Sequence, residues 1–398
     1  PYRSVINIDR KTATPVYLHL AYQLIEAIQR GYLMDGHRLP GTRQMASILG
    51  LHRNTVVAGY AELEAQGWII VQTARGTFIR AGHGVGTVSH GGRASRLKAR
   101  DSRDVSISRQ PGFSFKKWQV LDDPFDHKPA QFTLDDGLPD PRLSHVDYLS
   151  RLFHTVMKRR GNQSKLAYHN RRALEYYKEN LANFLNLTRG LHVSGEEILV
   201  TRSLELSIYL VAETLLSPGD HVVVGELSYF AVNMILQKAG AKLVPVPVDG
   251  EGLNVTAIAD LCRKQSVRMV YVAPHHHYPT TAVLSPTRRQ ELLDLAETYG
   301  FIIVEDDYDY DFHYGQSPLL PMACSDSSGM TVYVGTFGRF MAPGFRSGFI
   351  VAPNELIREM EKLLAIIDRH GDAFTDLALG ELIAEGEIHR YLRKTIRE

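Results

Sequence analysis

The stretch FIIVEDDYDYDF at residues 301–312 decides how the larger part of this chain folds. Phe301–Glu305 is a short apolar run typical of a buried strand, and acidic residues follow it at once. Comparable runs recur along residues 131–398 and alternate with segments of helical periodicity. This alternation predicts an α/β domain with a mostly parallel sheet, in which ligands bind beyond the carboxyl ends of the strands.

Six more segments have the apolar, turn-bounded pattern of strands. They are Glu197–Thr201, His221–Gly225, Lys242–Val246, Met269–Ala273, Thr331–Gly335 and Gly348–Val351. Helical periodicity predicts helices between and after them, at Glu205–Leu215, Pro286–Tyr299, Leu356–Ile367 and Glu385–Arg397.

Residues 14–80 have the pattern of a second, much smaller domain. Its predicted helices and strands are Tyr17–Arg30, Gly41–Leu49, Arg53–Gln66, Trp68–Val71 and Thr77–Arg80. Three short helices followed by a hairpin predict a winged helix-turn-helix. We therefore expect a DNA-binding domain at residues 1–80, a basic flexible linker at 81–130 and an α/β domain at 131–398.

The charge distribution supports a polyanionic partner for the front of the chain. Residues 1–117 hold seventeen Lys and Arg against seven Asp and Glu, a net charge of +10, whereas the whole chain carries +1. A basic front on an acidic body is typical of proteins that bind nucleic acid through the front. For residues 81–117 alone, a solvated charged linker explains the composition equally well.

The third helix of the small domain begins with side chains suited to reading DNA. Arg53, Asn54 and Thr55 lie where a recognition helix meets base edges and phosphates, and Arg and Asn can pair with guanine and adenine. Arg43 suits a phosphate or base contact, and Arg75-Gly76 suits the tip of a wing in the minor groove. These residues taken alone leave open a three-helix bundle with an exposed polar surface.

The small domain closely resembles the GntR-type winged helix. The resemblance is carried by LPGTRQMA (39–46), LGLHRNTV (49–56) and GTF (76–78), with Tyr60, Leu63, Gly67 and Trp68. It implies that the DNA-facing residues are Arg43, Arg53, Asn54, Thr55, Arg75 and Gly76. It also implies that the partner is a double-stranded DNA operator bound by a homodimer.

The larger domain resembles the fold-type I aminotransferases, and more particularly the MocR subfamily, in which such a domain follows a GntR head. The segments that carry this resemblance are GLPD (137–140), TRS (201–203), PGD (218–220), PHHHYPT (274–280), EDDYD (305–309) and GTFGRFMAPGFRSG (335–348). It implies an α/β/α fold and a site for pyridoxal 5'-phosphate.

The resemblance assigns each cofactor contact to a residue of this chain. Asp306 would pair with the pyridine nitrogen, Tyr229 would stack on the ring, and Tyr308 would bond the ring hydroxyl. The helix start at Ser203, Leu204 and Glu205 would hold the phosphate together with Arg346.

One departure from the family pattern removes the covalent chemistry. The family has Ser-Lys where this chain has Gly338-Arg339, and an arginine keeps its proton and cannot form a Schiff base. Thr281, where the family has glycine, and Leu227-Ser228, where it has Asp-Pro, also differ. The cofactor is then held without a covalent bond, or Arg339 takes its place by pairing with Asp306.

We therefore expect a cytoplasmic, homodimeric transcription regulator whose second domain senses a small molecule, pyridoxal phosphate or an amino compound, without transaminating. The alternative is an active aminotransferase with a DNA-binding head, against which Arg339 stands. His275–His277 are consecutive, so their side chains point in different directions and do not favour a metal site. Glu305–Asp311 could bind magnesium, but its position after a strand and before Tyr308 fits the pyridine-nitrogen role better. Apolar runs are too short for a membrane span, and Cys262 and Cys324 do not form a disulfide framework. We expect the small C-terminal domain of related proteins to be largely absent, so no arginine is assigned to a ligand carboxylate.

Overall fold

The computed structural model describes residues 2, 6–8, 14–80, 111–122, 146–166, 171–312, 319–338, 346–369 and 371–397. The chain forms two compact units, Pro1–Phe115 and Lys116–Glu398. No helix in the described ranges is both long and apolar enough to cross a bilayer. The predicted linker at 81–130 lies largely outside these ranges, and the segment 137–140 and Arg339 lie wholly outside them.

The first unit contains the predicted helices and hairpin. They are α1 (Val16–Gln29), β1 (Arg38–Leu39), α2 (Thr42–Leu49), α3 (Arg53–Ala65), β2 (Ile69–Gln72) and β3 (Gly76–Ile79). The strands form an antiparallel sheet in the order β1-β3-β2. The sequence pattern did not reveal β1, because two residues are too few for a detectable period.

Apolar side chains at helical spacing make the core of this unit. Leu20 and Leu24 on α1, Met45 on α2, and Val56 and Leu63 on α3 have no exposed surface. The turn between α2 and α3 passes through Gly50 in the left-handed region, at φ +64°, which glycine adopts without strain. This turn gives α3 its angle to α2.

The second unit holds the α/β domain that the sequence predicts. Its helices are α4 (Val146–Lys158), α5 (Arg172–Arg189), α6 (Leu204–Leu215), α7 (Phe230–Lys238), α8 (Val255–Lys264), α9 (Pro286–Tyr299), α10 (Asn354–Ile367), α11 (Ala373–Ala384) and α12 (Glu387–Arg397). Its main strands are β4 (Ile198–Thr201), β5 (His221–Gly225), β6 (Lys242–Val246), β9 (Met269–Val272), β10 (Ile302–Asp307), β11 (Thr331–Thr336) and β12 (Gly348–Val351), and β7 (Val248–Asp249) and β8 (Gly252–Leu253) form a small hairpin.

The main sheet has the strand order β4-β12-β11-β10-β9-β5-β6. Neighbouring strands from β11 to β6 are parallel, and β12 runs antiparallel to both β11 and β4. The carboxyl ends of β4, β5, β9, β10 and β11 therefore meet at one edge, together with the start of β12. This edge is where ligands bind in sheets of this type.

Several predicted boundaries differ from the structure by one or two residues, and two of these differences have a clear cause. Strand β10 continues through Asp306 and Asp307 instead of ending at Glu305, because Tyr271 donates a hydrogen bond to Asp306 and Tyr333 donates one to Asp307. Hydrogen-bonded carboxylates can stay inside a buried sheet. The last helix begins at Glu387, because Gly386 at φ +69° separates it from α11.

Candidate functional site

The start of α3 presents its polar side chains outward and its apolar ones inward. Arg53 and Asn54 are exposed, Thr55 is half-buried, and Val56 and Tyr60 are buried. The Tyr60 hydroxyl donates a 2.8 Å hydrogen bond to the carbonyl of Pro40, which ties α3 to the segment before α2. This anchoring holds the helix start in a fixed orientation, as base readout requires. Arg43, on α2, is also exposed.

The turn between β2 and β3 brings a cation to its tip. Arg75 is exposed, and its neighbours Ala74 and Gly76 have φ of +64° and +118°. A Cβ at residue 76 would lie 2.8 Å from Nε of Arg38. The exposed guanidinium of Arg38 therefore extends along the turn. Sequence reasoning missed Arg38, because only the pairing of β1 with β3 places it there. Within the described ranges no carboxylate pairs with Arg43, Arg53 or Arg75, so these charges are available to phosphates.

The sheet edge of the second unit contains a buried carboxylate with one unused oxygen. Asp306 is 2% exposed, and its Oδ2 accepts a hydrogen bond from Tyr271. Its Oδ1 is buried and has no hydrogen-bond partner among the described residues. Burial, above all, raises the pKa of Asp306 to about 7. An orphaned buried acceptor of this kind fits the protonated nitrogen of a pyridine ring.

Two tyrosines lie at the same edge of the sheet. Tyr308 follows β10 and donates a 2.8 Å hydrogen bond to the carbonyl of His276. Tyr229 immediately precedes α7, and its ring meets the ring of Tyr278 edge-on with centroids 5.4 Å apart. The structure thus brings Tyr229, Asp306 and Tyr308 to one edge and adds Tyr271, which the sequence did not reveal as a partner of Asp306.

The end of the site where the resemblance places the phosphate contains a carboxylate beside its arginine. Ser203 caps α6, and its hydroxyl accepts a 3.2 Å hydrogen bond from the amide of Leu206. Glu205 lies in the first turn of this helix, and its carboxylate is 3.6 Å from Nη2 of Arg346. A carboxylate here offsets the charge of the arginine and repels a phosphate. The ring end of the site therefore fits pyridoxal phosphate, whereas Glu205 disfavours its phosphate. Leu204 is half-buried in the same turn.

A close contact between β12 and the β4–α6 loop positions Ser203. A Cβ at Gly348 would lie 2.7 Å from the backbone C and O of Ser203 and 2.7 Å from Oγ1 of Thr201. Only the absence of a side chain lets the start of β12 approach the loop this closely.

We expect Gly348→Ala to destabilise the second unit by about 2 kcal/mol, because the backbone of Ser203 must shift. The free energy of unfolding in urea measures this loss. Gly250→Ala is the matched control, since an added Cβ there meets nothing within 4 Å. Equal unfolding free energies for the two variants would contradict the close contact.

A network of buried charged side chains surrounds the end of β10. Arg189 is 1% exposed, and its Nη2 lies 2.9 Å from Oδ2 of Asp311. Asp307 lies 3.9 Å from Nε of Arg189 and 2.9 Å from Nδ1 of His275. Burial lowers the pKa of His275, but the carboxylate of Asp307 outweighs burial, so that the pKa is raised. This network fixes the strand that carries Asp306.

The three consecutive histidines make separate contacts. His275 Nε2 lies 2.6 Å from the carbonyl of Leu319, and His277 Nε2 lies 2.6 Å from the carbonyl of Leu227. His276 Nδ1 lies 2.9 Å from Oδ2 of Asp309. Their ring nitrogens bond three different segments, which is typical of structural histidines in a loop.

Two family profiles match the chain. The profile of class I and II aminotransferases matches residues 145–371, and that of the gntR family of bacterial regulatory proteins matches residues 16–79. The chain is 29% identical over 394 residues to a probable rhizopine catabolism regulatory protein MocR of Rhizobium meliloti, covering 99% of this chain and 76% of the relative. It is 28% identical to the transcriptional regulator TauR of Rhodobacter capsulatus, covering 88% of this chain and 70% of the relative.

Solved aminotransferase structures share the fold of the second unit. A kynurenine aminotransferase of Pyrococcus horikoshii is 26% identical, with a TM-score of 0.62 over 66% of this chain and 65% of that one. An archaeal alanine:glyoxylate aminotransferase is 27% identical, with a TM-score of 0.61 over 64% of each chain. These matches confirm the predicted architecture, a winged helix joined to an aminotransferase-type α/β domain.

Proposed function

We propose, on the premise that this chain belongs to the class I and II aminotransferase family and has a gntR-family regulatory domain before its aminotransferase-type domain, that it regulates transcription. The first domain binds a DNA operator. The aminotransferase-type domain senses a small molecule and does not turn it over. The observation that carries this proposal is the combination of an exposed recognition-helix start with an arginine at the position of the family's lysine. The DNA-binding part rests on the matched gntR domain and its regulator relatives.

The DNA interface is assigned to Arg43, Arg53, Asn54, Thr55, Arg75 and Gly76. Arg53 and Asn54 are exposed at the start of a helix that is anchored by its buried side, the arrangement with which major-groove readers contact base edges. Arg75, at the tip of the hairpin, suits the neighbouring groove, with Arg38 beside it. A homodimer would present two such helices to two half-sites.

The absence of turnover rests on chemistry at residue 339. Amino-group transfer on pyridoxal phosphate, which supplies an electron sink when bound, needs a residue that can form and release a covalent link to it. A guanidinium stays protonated at ordinary pH and has no free amine lone pair. Arg339 therefore cannot supply that link, and Glu205 makes the phosphate end less favourable.

A second candidate, a regulator that retains pyridoxal phosphate without a covalent bond, is favoured by the orphaned Oδ1 of Asp306. Asp306 would hold the ring nitrogen, with Tyr229 and Tyr308 against the ring and Arg346 at the phosphate. The active aminotransferase remains the alternative against which both are tested, since solved relatives of the second unit are such enzymes.

We expect no exchange of amino groups between a panel of amino acids and 2-oxo acids when the full chain is supplied with pyridoxal phosphate. Borohydride treatment of that mixture should leave no reduced pyridoxyl group on any residue of the pocket, as mass spectrometry of peptides would show. Arg339→Lys is the matched variant, because it restores the amine alone, and a pyridoxyl group at residue 339 is expected there. A reduced adduct in the pocket of the unaltered chain, together with amino-group exchange, would establish the enzyme instead.

The regulatory part is tested by selecting bound sequences from random DNA. We expect the full chain to enrich one sequence with two half-sites and to prefer it over competitor DNA by at least about a thousandfold. Affinity should fall steeply with salt, because phosphate contacts release counterions. Enrichment of no sequence would refute the regulator.

A further inference from the structure

The small sheet of the first unit has one face on the domain core and one face that points away from it. Side chains alternate between the two faces of a strand. Ile69 and Ile79 are buried in the core. Their neighbours Ile70 and Phe78 therefore lie on the opposite face, and the register places Arg38 beside Phe78. We call this surface the outer wing face, and its main side chains are Arg38, Ile70, Gln72, Arg75, Phe78 and Arg80.

An open groove of about 620 Å³ lies on the outer wing face. Its lining includes Gln72 and Arg75 near the turn and Arg80 after the other end of β3. Ile70 and Phe78 line the part between them. None of the described residues that line this groove is acidic. The groove thus has an apolar floor with cationic groups at both ends, which fits an anionic partner.

Arg38 joins this face to the helix-turn-helix. It is exposed on β1, and only two residues separate β1 from α2, the helix that carries Arg43. Its guanidinium extends toward the turn, since a Cβ at Gly76 would lie 2.8 Å from its Nε and 3.2 Å from its Nη2. Arg38 therefore lies close to both the start of α2 and the turn with Arg75, which are two parts of the proposed DNA interface.

The cations of the outer wing face are free to bind an anion. Arg38, Arg75 and Arg80 are exposed, and no described carboxylate forms an ion pair with any of them. Residues 76 and 80 are four apart on an extended chain, a distance of about 13 Å. The charges are therefore spread along a line and do not surround one point. Guanidinium groups bind phosphates through paired N–H donors, and a nucleic-acid backbone supplies phosphates in a row.

We propose that the outer wing face binds the sugar-phosphate backbone of the operator next to each half-site, with Arg38 and Arg80 on phosphates. This inference rests on the proposed function and deepens it, because it extends the DNA interface from a helix start and a turn to a face of the sheet. Phosphate contacts fix the orientation of a protein on the duplex and carry no sequence information. Arg38 and Arg80 therefore contribute affinity, whereas Asn54 contributes base preference.

The test measures binding of the full chain to the selected operator by fluorescence anisotropy over a range of salt concentrations. We expect Arg38→Gln and Arg80→Gln each to weaken binding by about threefold to tenfold. The slope of log affinity against log salt should fall by about one in each variant, while the preference among single-base operator variants stays unchanged. Arg30→Gln is the matched control, because it removes an exposed arginine that pairs with Glu26 on α1, and it should change neither quantity.

A second measurement separates a phosphate contact from an effect on the fold. Operators with one methylphosphonate linkage, which removes the charge of a single phosphate, are titrated with each protein. At one position next to each half-site, the linkage should weaken binding by the unaltered chain and have no further effect on Arg38→Gln, because the contact is already lost. Unfolding in urea shows whether each variant is as stable as the unaltered chain.

Unchanged affinity and an unchanged salt slope in both Arg38→Gln and Arg80→Gln would overturn the inference. Methylphosphonate effects that add to those of Arg38→Gln at every position would do so as well. If Asn54→Ala still changes the base preference, the proposed regulator stands without the outer wing face.

The same variants are also titrated with a duplex of unrelated sequence, because phosphate contacts do not depend on sequence. If the unaltered chain prefers no sequence, the proposed regulator fails. A lower affinity and a lower salt slope of Arg38→Gln on the unrelated duplex would then still support a phosphate contact at the outer wing face, and equal values would refute it.

Discussion

Asn54→Ala weakens binding of the selected operator by tenfold to about a hundredfold and relaxes its preference at one base pair in each half-site. Each bidentate contact between a side chain and a base edge contributes about 1–3 kcal/mol of discrimination. Asn54 is exposed at the start of α3, while that helix is fixed by buried Val56 and Tyr60. Fluorescence anisotropy with the operator and with single-base variants measures both effects.

Arg53→Ala, in the same assay, separates base reading from phosphate contact. If Arg53 contacts a phosphate, all sequences lose affinity alike and the slope of log affinity against log salt falls by about one. Arg30→Ala is the matched control, because Arg30 is an exposed arginine of the same unit that pairs with Glu26 on the far end of α1. Operator affinity that is unchanged in both Asn54→Ala and Arg53→Ala would remove α3 from the interface.

Asp306→Asn stabilises the ligand-free protein by about 2 kcal/mol at pH 8, as measured by urea unfolding. The pKa of Asp306 is raised to about 7 in the folded state from 3.8, chiefly by burial. When the pKa of a carboxyl group is higher in the folded state than in the unfolded state, its contribution to stability is fully present below the unfolded-state pKa. That contribution is lost as pH rises through the folded-state pKa. The gain of the variant should therefore be small near pH 4 and grow up to about pH 7. The asparagine amide keeps an acceptor for Tyr271.

Whether Asp306→Asn raises or lowers the free energy of unfolding also tests whether Oδ1 of Asp306 has a partner. If Asp306→Asn destabilises the protein at pH 8, the carboxylate already has a cationic partner, and Arg339 is the candidate named by the sequence. Arg339→Gln, which removes that charge, in the same background then identifies it. Asp306→Asn should also weaken any binding of pyridoxal phosphate, because the ring nitrogen loses its anionic partner.

Much of the fold could be predicted from local pattern. Apolar runs such as His221–Gly225 and Gly348–Val351 matched strands β5 and β12 residue for residue, because a buried strand needs a continuous apolar run. Helix α9 also has the bounds that helical periodicity predicts, and in the structure Ser285 caps its start and Gly300 follows its end. The boundary at Asp306 was missed, because its stabilising partner Tyr271 is distant in sequence and adjacent only in the sheet.

The sequence by itself determined which side chains each unit has available for its chemistry. It placed Arg53 and Asn54 at a helix start and put Arg339 where the family has lysine, and both follow from residue identity alone. Only the tertiary structure decided how charges are shared, because pairing depends on segments that lie far apart along the chain. It placed Glu205 against Arg346 and left Oδ1 of Asp306 without a partner among the described residues.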